Sequence, residues 1–200
     1  MDRRLLWVGV GVLLLIGFMA LFIVLSPGFN QLRGSVIEPP MPAAEIELTD
    51  QNGNPFRLTD HRGQVVLLFF GYAACPDVCP ATMAVLKQAR AQLSASQAER
   101  VQVVFITVDP DRDTSDLIQE YVARFDPTFI GLSGSEADLT PVWQAYGVFR
   151  ELGTPTASGF YEVSHTARVY VVDAQGNLSL SFPFGATIED VAHDLKILLK

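Results

Sequence analysis

One run of residues, Val65-Val66-Leu67-Leu68-Phe69-Phe70-Gly71-Tyr72, limits the fold more than any other part of the chain. It lacks the apolar–polar alternation of a strand with one wet face. It reads as a strand buried on both faces, so the sheet that holds it needs cover on both sides. Directly after it comes Cys75-Pro76-Asp77-Val78-Cys79-Pro80, and then a segment with helical periodicity. These are the only two cysteines in the chain. Thiols at the N-terminus of a helix are acidified by its dipole and are more readily present as thiolates. Three residues separate the pair, so within the first turns of a helix the two side chains would share a face. Two thiolates on one face can close on a single soft metal ion. They can also join as a disulfide, because α-carbons at i and i+4 lie about 6 Å apart.

The rest of the chain alternates strands and helices. Residues 46–48 and 55–58 flank Asp50-Gln51-Asn52-Gly53, where Asn-Gly is a hairpin signal. Residues 79–93 predict a helix, with Met83, Leu86 and Ala89 or Arg90 along one side. Residues 101–108 predict a second buried strand. Leu117, Ile118, Tyr121, Val122 and Phe125 mark another helix. A short strand over 129–132 and a helix over 139–146 follow. Strands over 166–172 and 178–182 pair around a turn, and Ile188, Val191, Leu195 and Leu198 mark a final helix. No internal repeat is present. An N-terminal hairpin, a central sheet between helices and a reactive pair after the first buried strand form an α/β, thioredoxin-like plan.

Residues 5–25 carry no charge and are almost wholly apolar. As a helix they span about 31 Å, the thickness of a hydrocarbon core. Arg3 and Arg4 precede them, which predicts a single transmembrane anchor with residues 1–4 in the cytoplasm and the remainder on the extracytoplasmic, periplasmic side. A cleaved signal peptide is the competing reading, but Ser26-Pro27-Gly28-Phe29-Asn30 fits a cleavage site poorly. Residues 26–44 hold Pro27, Pro39, Pro40 and Pro42 and are expected to be a stiffened linker. Residues 45–200 suffice for one domain. The formal net charge of −8 and the lack of a basic stretch exclude a nucleic-acid partner.

The strand and cysteine segment closely resembles the Sco/SenC family of membrane-anchored copper proteins. Further likeness follows at Val108-Asp109-Pro110-Asp111-Arg112-Asp113-Thr114, at Phe129-Ile130-Gly131-Leu132-Ser133-Gly134 and at Ser164-His165-Thr166. The resemblance covers residues 46–200 and implies a thioredoxin-like domain that binds one copper through two cysteines and a histidine. It carries the ligand roles to Cys75, Cys79 and His165, with Cu(I) preferred and Cu(II) as a second ion. It implies assembly of the dinuclear copper centre of cytochrome c oxidase, with the copper-centre subunit as partner. A second copper chaperone or a thiol reductase would be a further partner. Thiolates suit Cu(I), and an imidazole can complete a trigonal site. The chain has three histidines. His61 lies in a polar turn, and His193 falls off the apolar stripe of the last helix and is expected to be exposed. Met83 could be imagined as a thioether ligand but suits the core.

Two departures stand out. Family members commonly have Asp before this histidine, where here stands Ser164, which removes a charged group that could orient the imidazole. Ala73-Ala74 replaces more polar residues before Cys75. Asp77 is expected in the first helical turn, with Pro76 at the first helical position. Asp109, Asp111 and Asp113 alternate, but without the glycine and distal glutamate of a calcium loop they are expected to be solvated. A different class of function also fits. Cys75 and Cys79 could form a redox-active pair, a thiol–disulfide reductase of the oxidase subunit or a redox sensor, rather than a conventional enzyme. A purely structural Cys75–Cys79 disulfide would close too short a loop to stabilise much.

Overall fold

The structure, a computed structural model, describes residues 7, 9, 12–19, 31–157 and 159–200. Its contacts divide the chain into two units, Met1–Leu32 and Arg33–Lys200.

In the first unit, Trp7, Gly9 and residues 12–19 are helical. The rest of the expected anchor over 5–25, and residues 1–4, lie outside the described residues. Among the described residues no helix is long and apolar enough to cross a membrane. The expected transmembrane anchor is therefore not supported. Neither are the cytoplasmic N-terminus, the periplasmic placement and the membrane partnership that depended on it.

The second unit is built on one eight-stranded mixed sheet. Its strands are β1 (Ser35–Pro42), β2 (Glu47–Asp50), β3 (Pro55–Arg57), β4 (Val65–Gly71), β5 (Val101–Thr107), β6 (Ile130–Ser133), β9 (Arg168–Val172) and β10 (Asn177–Pro183), in the order β1-β10-β9-β4-β5-β6-β2-β3. A separate two-stranded ribbon pairs β7 (Arg150–Leu152) with β8 (Val163–His165). The helices are α1 (Val78–Ala91), the short α2 (Ala95–Ala98), α3 (Ser115–Ala123), α4 (Glu136–Ala145) and α5 (Ile188–Leu198). All seven residues of β4 are buried, as the unbroken apolar run requires. β4 runs parallel to β5, from Val65↔Val101 to Gly71↔Thr107, and antiparallel to β9 on its other side. The β2–β3 hairpin forms where Asn-Gly predicts it. Gly53 takes a positive φ of 82°, and the Asp50 carboxylate accepts the N–H groups of Asn52 and Asn54 at 2.8 Å each.

The linker expected over 26–44 is only partly that. Ser35–Pro42 is an edge strand, antiparallel to β10 from Ser35↔Ser181 to Pro42↔Asn177. Proline is tolerated there because an edge strand leaves some N–H positions unpaired. The entry to β1 is fastened by Asp194 of α5, a fully buried carboxylate. It accepts the backbone N–H of Arg33 at 2.9 Å and that of Gly34 at 2.8 Å. His193, expected to be exposed, is half-buried, with Nδ1 2.9 Å from Asp194 Oδ1. The apolar stripe of α5 hid this, because a carboxylate among buried positions reads as a break in the pattern rather than as a clasp.

Replacing Asp194 with alanine strands two backbone N–H groups and should cost about 3 kcal/mol in chemical unfolding. Glu189→Ala, at an exposed position of the same helix, should change stability by less than about 0.5 kcal/mol. Equal effects of the two would contradict the clasp.

Candidate metal centre

The helix after the cysteines starts at Val78, with Asp77 as its N-cap residue and no capping bond from the Asp77 side chain. Cys75 therefore lies in the turn before the helix, so the expected sharing of one helical face is corrected. So are the expected placements of Asp77 and Pro76 within the first turn. Pro80 is the proline inside the first turn, where a missing N–H leaves nothing unpaired. The sulfur of Cys75 takes the place of a cap, accepting the Cys79 N–H at 3.4 Å. The turn closes through the Cys75 N–H, which donates to the Tyr72 carbonyl at 3.1 Å.

Cys79 is fully buried, whereas Cys75 is half-exposed. Their sulfurs are free thiols and not bonded to each other. Room for the Cys79 sulfur comes from Gly71, at the end of β4. A β-carbon there would lie 2.9 Å from Cys79 Sγ and 2.9 Å from Phe105 Cε2.

His165 ends β8, opposite Arg150 in the ribbon, rather than opening a strand of the main sheet. Its ring stands edge-on to Tyr72 at 5.8 Å and to Phe69 at 6.5 Å between centroids. Nδ1 lies 3.2 Å from the Thr166 carbonyl oxygen, and Nε2 lies 3.6 Å from Cys79 Sγ. A carbonyl only accepts, so that contact selects the tautomer protonated at Nδ1 and turns the Nε2 lone pair toward the thiols. The orienting group is thus the Thr166 backbone, while Ser164 is exposed.

The aspartates of the following loop are not all solvated as expected. Asp111 is exposed, but Asp109 and Asp113 are buried. Asp113 accepts the Ala73 N–H at 3.1 Å and the Thr107 hydroxyl at 2.7 Å, and so steadies the turn that leads into Cys75. Asp109 accepts the Tyr161 hydroxyl at 2.8 Å and pairs with Arg112. The Arg112 guanidinium lies 3.6 Å from the Tyr161 ring centroid and donates to the Tyr161 carbonyl at 2.8 Å. These contacts hold the segment before β8 against the loop after β5. The burial follows from the ends of parallel strands, where the chain turns across the sheet and needs internal acceptors.

Electrostatics separates the two thiols. A hydrogen bond from the Cys79 thiol, helped by the Cys79 N–H, holds Cys75 well below the ordinary thiol range despite partial burial. Cys79 is pushed the other way, by donating to the Cys75 sulfur and by burial. The pair therefore shares one proton, held on the buried sulfur. Burial also raises Asp113 to about 6, against its hydrogen bonds from Thr107 and Ala73. Burial and the nearby Cys75 raise the Tyr72 phenol to about 12.

The donor set suits a soft ion. With bonds of the lengths thiolates and imidazoles make to zinc and a trigonal angle, a metal would hold its sulfur and nitrogen ligands about 3.7 Å apart. The Cys79–His165 separation of 3.6 Å matches this. Among the described residues no three His, Cys, Asp or Glu side chains already form a closed cage. The other candidates lie elsewhere. His61 stacks on Phe56 at 4.9 Å and contacts Gln64 at 2.8 Å, and Met83 is fully buried in the core. Sequence reasoning did not single out Tyr72, Gly71 or Asp113 as parts of the site. The signal for Asp113 was its spacing of four from Asp109 directly after a buried strand. The site opens through a depression of about 380 Å³ lined by Tyr72, Cys75, Asp77, Glu162 and His165.

A mixed sheet, with a dithiol at the C-terminal end of its central parallel strand, defines a thioredoxin-like α/β domain. The chain belongs to the SCO1/SenC family, whose model matches residues 38–200. It is 38% identical over 134 residues to a curated protein of Stutzerimonas stutzeri, covering 67% of this chain and 65% of that relative. The match therefore spans slightly less than two thirds of that relative's length. The fold is similar to the solution structure of apo Sco1 from Thermus thermophilus, with a TM-score of 0.77, 38% identity, and 84% of this chain and 98% of that one covered. It is also similar to Bradyrhizobium japonicum ScoI, solved with copper bound, with a TM-score of 0.72, 37% identity, and 79% and 99% covered.

Iodoacetamide should alkylate Cys75 and spare Cys79 in the folded protein. Thiolate reacts and thiol does not, so a depressed Cys75 should react at a nearly constant rate from pH 8 down to about pH 5, whereas an ordinary thiol, with a pKa of about 8.5, loses about tenfold per unit. Mass-mapped alkylation rates check this, and an ordinary titration at Cys75 would contradict the shared-proton arrangement.

Proposed function

We propose that this domain carries one copper ion, preferentially Cu(I), on Cys75, Cys79 and His165. We further propose that it delivers the ion to the copper-centre subunit of a cytochrome c oxidase. The observation that carries this reading is the 3.6 Å approach of His165 Nε2 to Cys79 Sγ, with the Cys75 sulfur beside them at an open mouth. Thiolates and an imidazole favour Cu(I) over harder ions, and Cu(II) is the second ion the set can accept. The copper-bound Bradyrhizobium relative supports the same reading. Cys75 is ready as a thiolate, and Cys79 gives up its proton when the ion binds, so uptake should tighten as pH rises. The half-exposed Cys75 is the ligand a recipient reaches first. The buried Cys79 and His165 hold the ion until exchange is complete.

A second reading draws on the unequal exposure of the thiols. The Cys75 thiolate would attack a disulfide of the recipient and form a mixed disulfide, releasing one recipient thiolate. Cys79, once deprotonated, would attack the Cys75 sulfur, releasing the second recipient thiolate and leaving Cys75–Cys79 oxidised. This reading needs neither His165 nor metal.

The reduced protein should bind one Cu(I) per chain in a chelator competition, and the Cys75→Ser, Cys79→Ser double variant should bind none tightly. His165→Ala should weaken binding by about tenfold or more while leaving disulfide formation intact, whereas His61→Ala and His193→Ala should bind like the parent. Equal uptake by the double variant would sink the copper assignment. Undiminished binding by His165→Ala would remove the imidazole.

A further inference from the structure

We propose that the apolar groove beside the metal mouth receives a large apolar side chain of the copper recipient, and that this side chain is ringed by lysine or arginine. The proposal rests on the copper-delivery reading above and names how the partner is recognised.

The groove encloses about 270 Å³ between α1 and the β9–β10 end of the sheet, with Val85, Val169, Phe182, Phe184 and Val191 on its walls. Ala167 lines both this groove and the metal mouth, so the two lie side by side. The rim is apolar as well. Phe184 is 51% exposed, and its N–H donates to the Ala167 carbonyl at 3.1 Å. Phe149 is 57% exposed, and its N–H donates to Thr166 Oγ1 at 2.9 Å. Two open phenylalanines thus flank the residues that follow His165. Contiguous apolar surface beside a site is a mark of an interaction surface.

The chemistry of transfer says what covers it. Moving a copper ion between proteins requires ligands of both around one ion. Cys79 is buried, so the recipient's ligands enter through the mouth. A recipient seated there covers about 800 Å² of this surface if the interface is of ordinary size, and Ala167 and the groove lie within that footprint. A single side chain filling a pocket is the kind of contact that dominates interface energy.

Charge gives the partner its sign. Asp77 and Glu162 line the mouth, are exposed, and have no ion-pair partner among the described residues. Of the nearby cations, Arg112 pairs with Asp109, Arg150 with Glu136, and Arg168 donates to the Ser181 hydroxyl at 2.9 Å. The chain as a whole carries a formal net charge of −8. A basic rim on the recipient would find the mouth faster at low salt.

The test loads the full chain with Cu(I) and follows transfer to the apo copper-centre domain of an oxidase subunit. Phe184→Ser and Val85→Glu should keep the parent's Cu(I) affinity within about twofold and slow transfer by about tenfold. Phe184 is exposed, so its variant tests the idea even if Val85→Glu folds poorly. The parent's transfer rate should fall several-fold as salt rises from about 50 to 300 mM. A parent that transfers, with Phe184→Ser transferring at the same rate, overturns the groove and leaves copper delivery standing. A parent that binds copper but transfers none removes both readings together. A salt-independent rate overturns the basic partner. Unchanged transfer with lost vesicle binding or lost self-association in Phe184→Ser assigns the groove to lipid or to a second copy, and overturns the proposal.

Discussion

The site depends on fitting one sulfur atom above the end of a fully buried strand. β4 has neighbours on both edges and no exposed residue, and Cys79 meets the sheet at its last position, Gly71. Gly71 supplies that space. Any side chain there would collide with the sulfur and with Phe105. Once Cys79 is seated, the start of α1 is set. The Cys75 sulfur then falls where it accepts a helix N-terminal N–H, and His165 meets Cys79 from the ribbon. A close-packed interior transmits such a displacement rather than absorbing it, so the placing of these three side chains is a consequence of core packing.

Around this seat the charges are arranged in layers. The outer sulfur bears the negative charge, held by the helix N-terminus and by the inner thiol. The inner sulfur keeps its proton, favoured by burial and by the bond it donates to Cys75. Asp113 lies beneath the turn, where burial raises it to about 6; still mainly charged at neutral pH, it helps keep the proton on Cys79. The same residue holds the Ala73 N–H and the Thr107 hydroxyl, which makes it a support for the cysteine turn as well. His165 is oriented by a backbone carbonyl, which a change at position 164 does not remove. That accounts for how the ring keeps its aim with serine, rather than aspartate, before it.

Much of this was legible from residues with strong local signals. The unbroken run at 65–72 implied the buried central strand, Asn52-Gly53 the hairpin, and the apolar periodicities four of the helices. The cysteine pair stood out by its place after that strand, and His165 was named through the family resemblance. What was not legible depended on tertiary contacts. β1 carries three prolines and pairs only at an edge, so its sequence reads as linker. The β7–β8 ribbon has three residues per strand, too few for a pattern. Asp109, Asp113 and Asp194 are buried with partners distant in sequence, and single-residue polarity predicts the opposite. The helix start was misplaced because Pro76 and Pro80 both suit a first turn, and only the sulfur cap tells them apart. The apolar run at 5–25 suggested a membrane span that the described residues do not support.

The central claim is that two thiolates and one imidazole form a single copper site in this domain. X-ray absorption of the Cu(I)-loaded protein tests it most directly. The arrangement predicts a three-coordinate ion with two sulfur neighbours and one nitrogen neighbour from His165, and loss of the nitrogen shell in His165→Ala. A sulfur-only first shell in the parent, or a nitrogen shell that survives in His165→Ala, would contradict it.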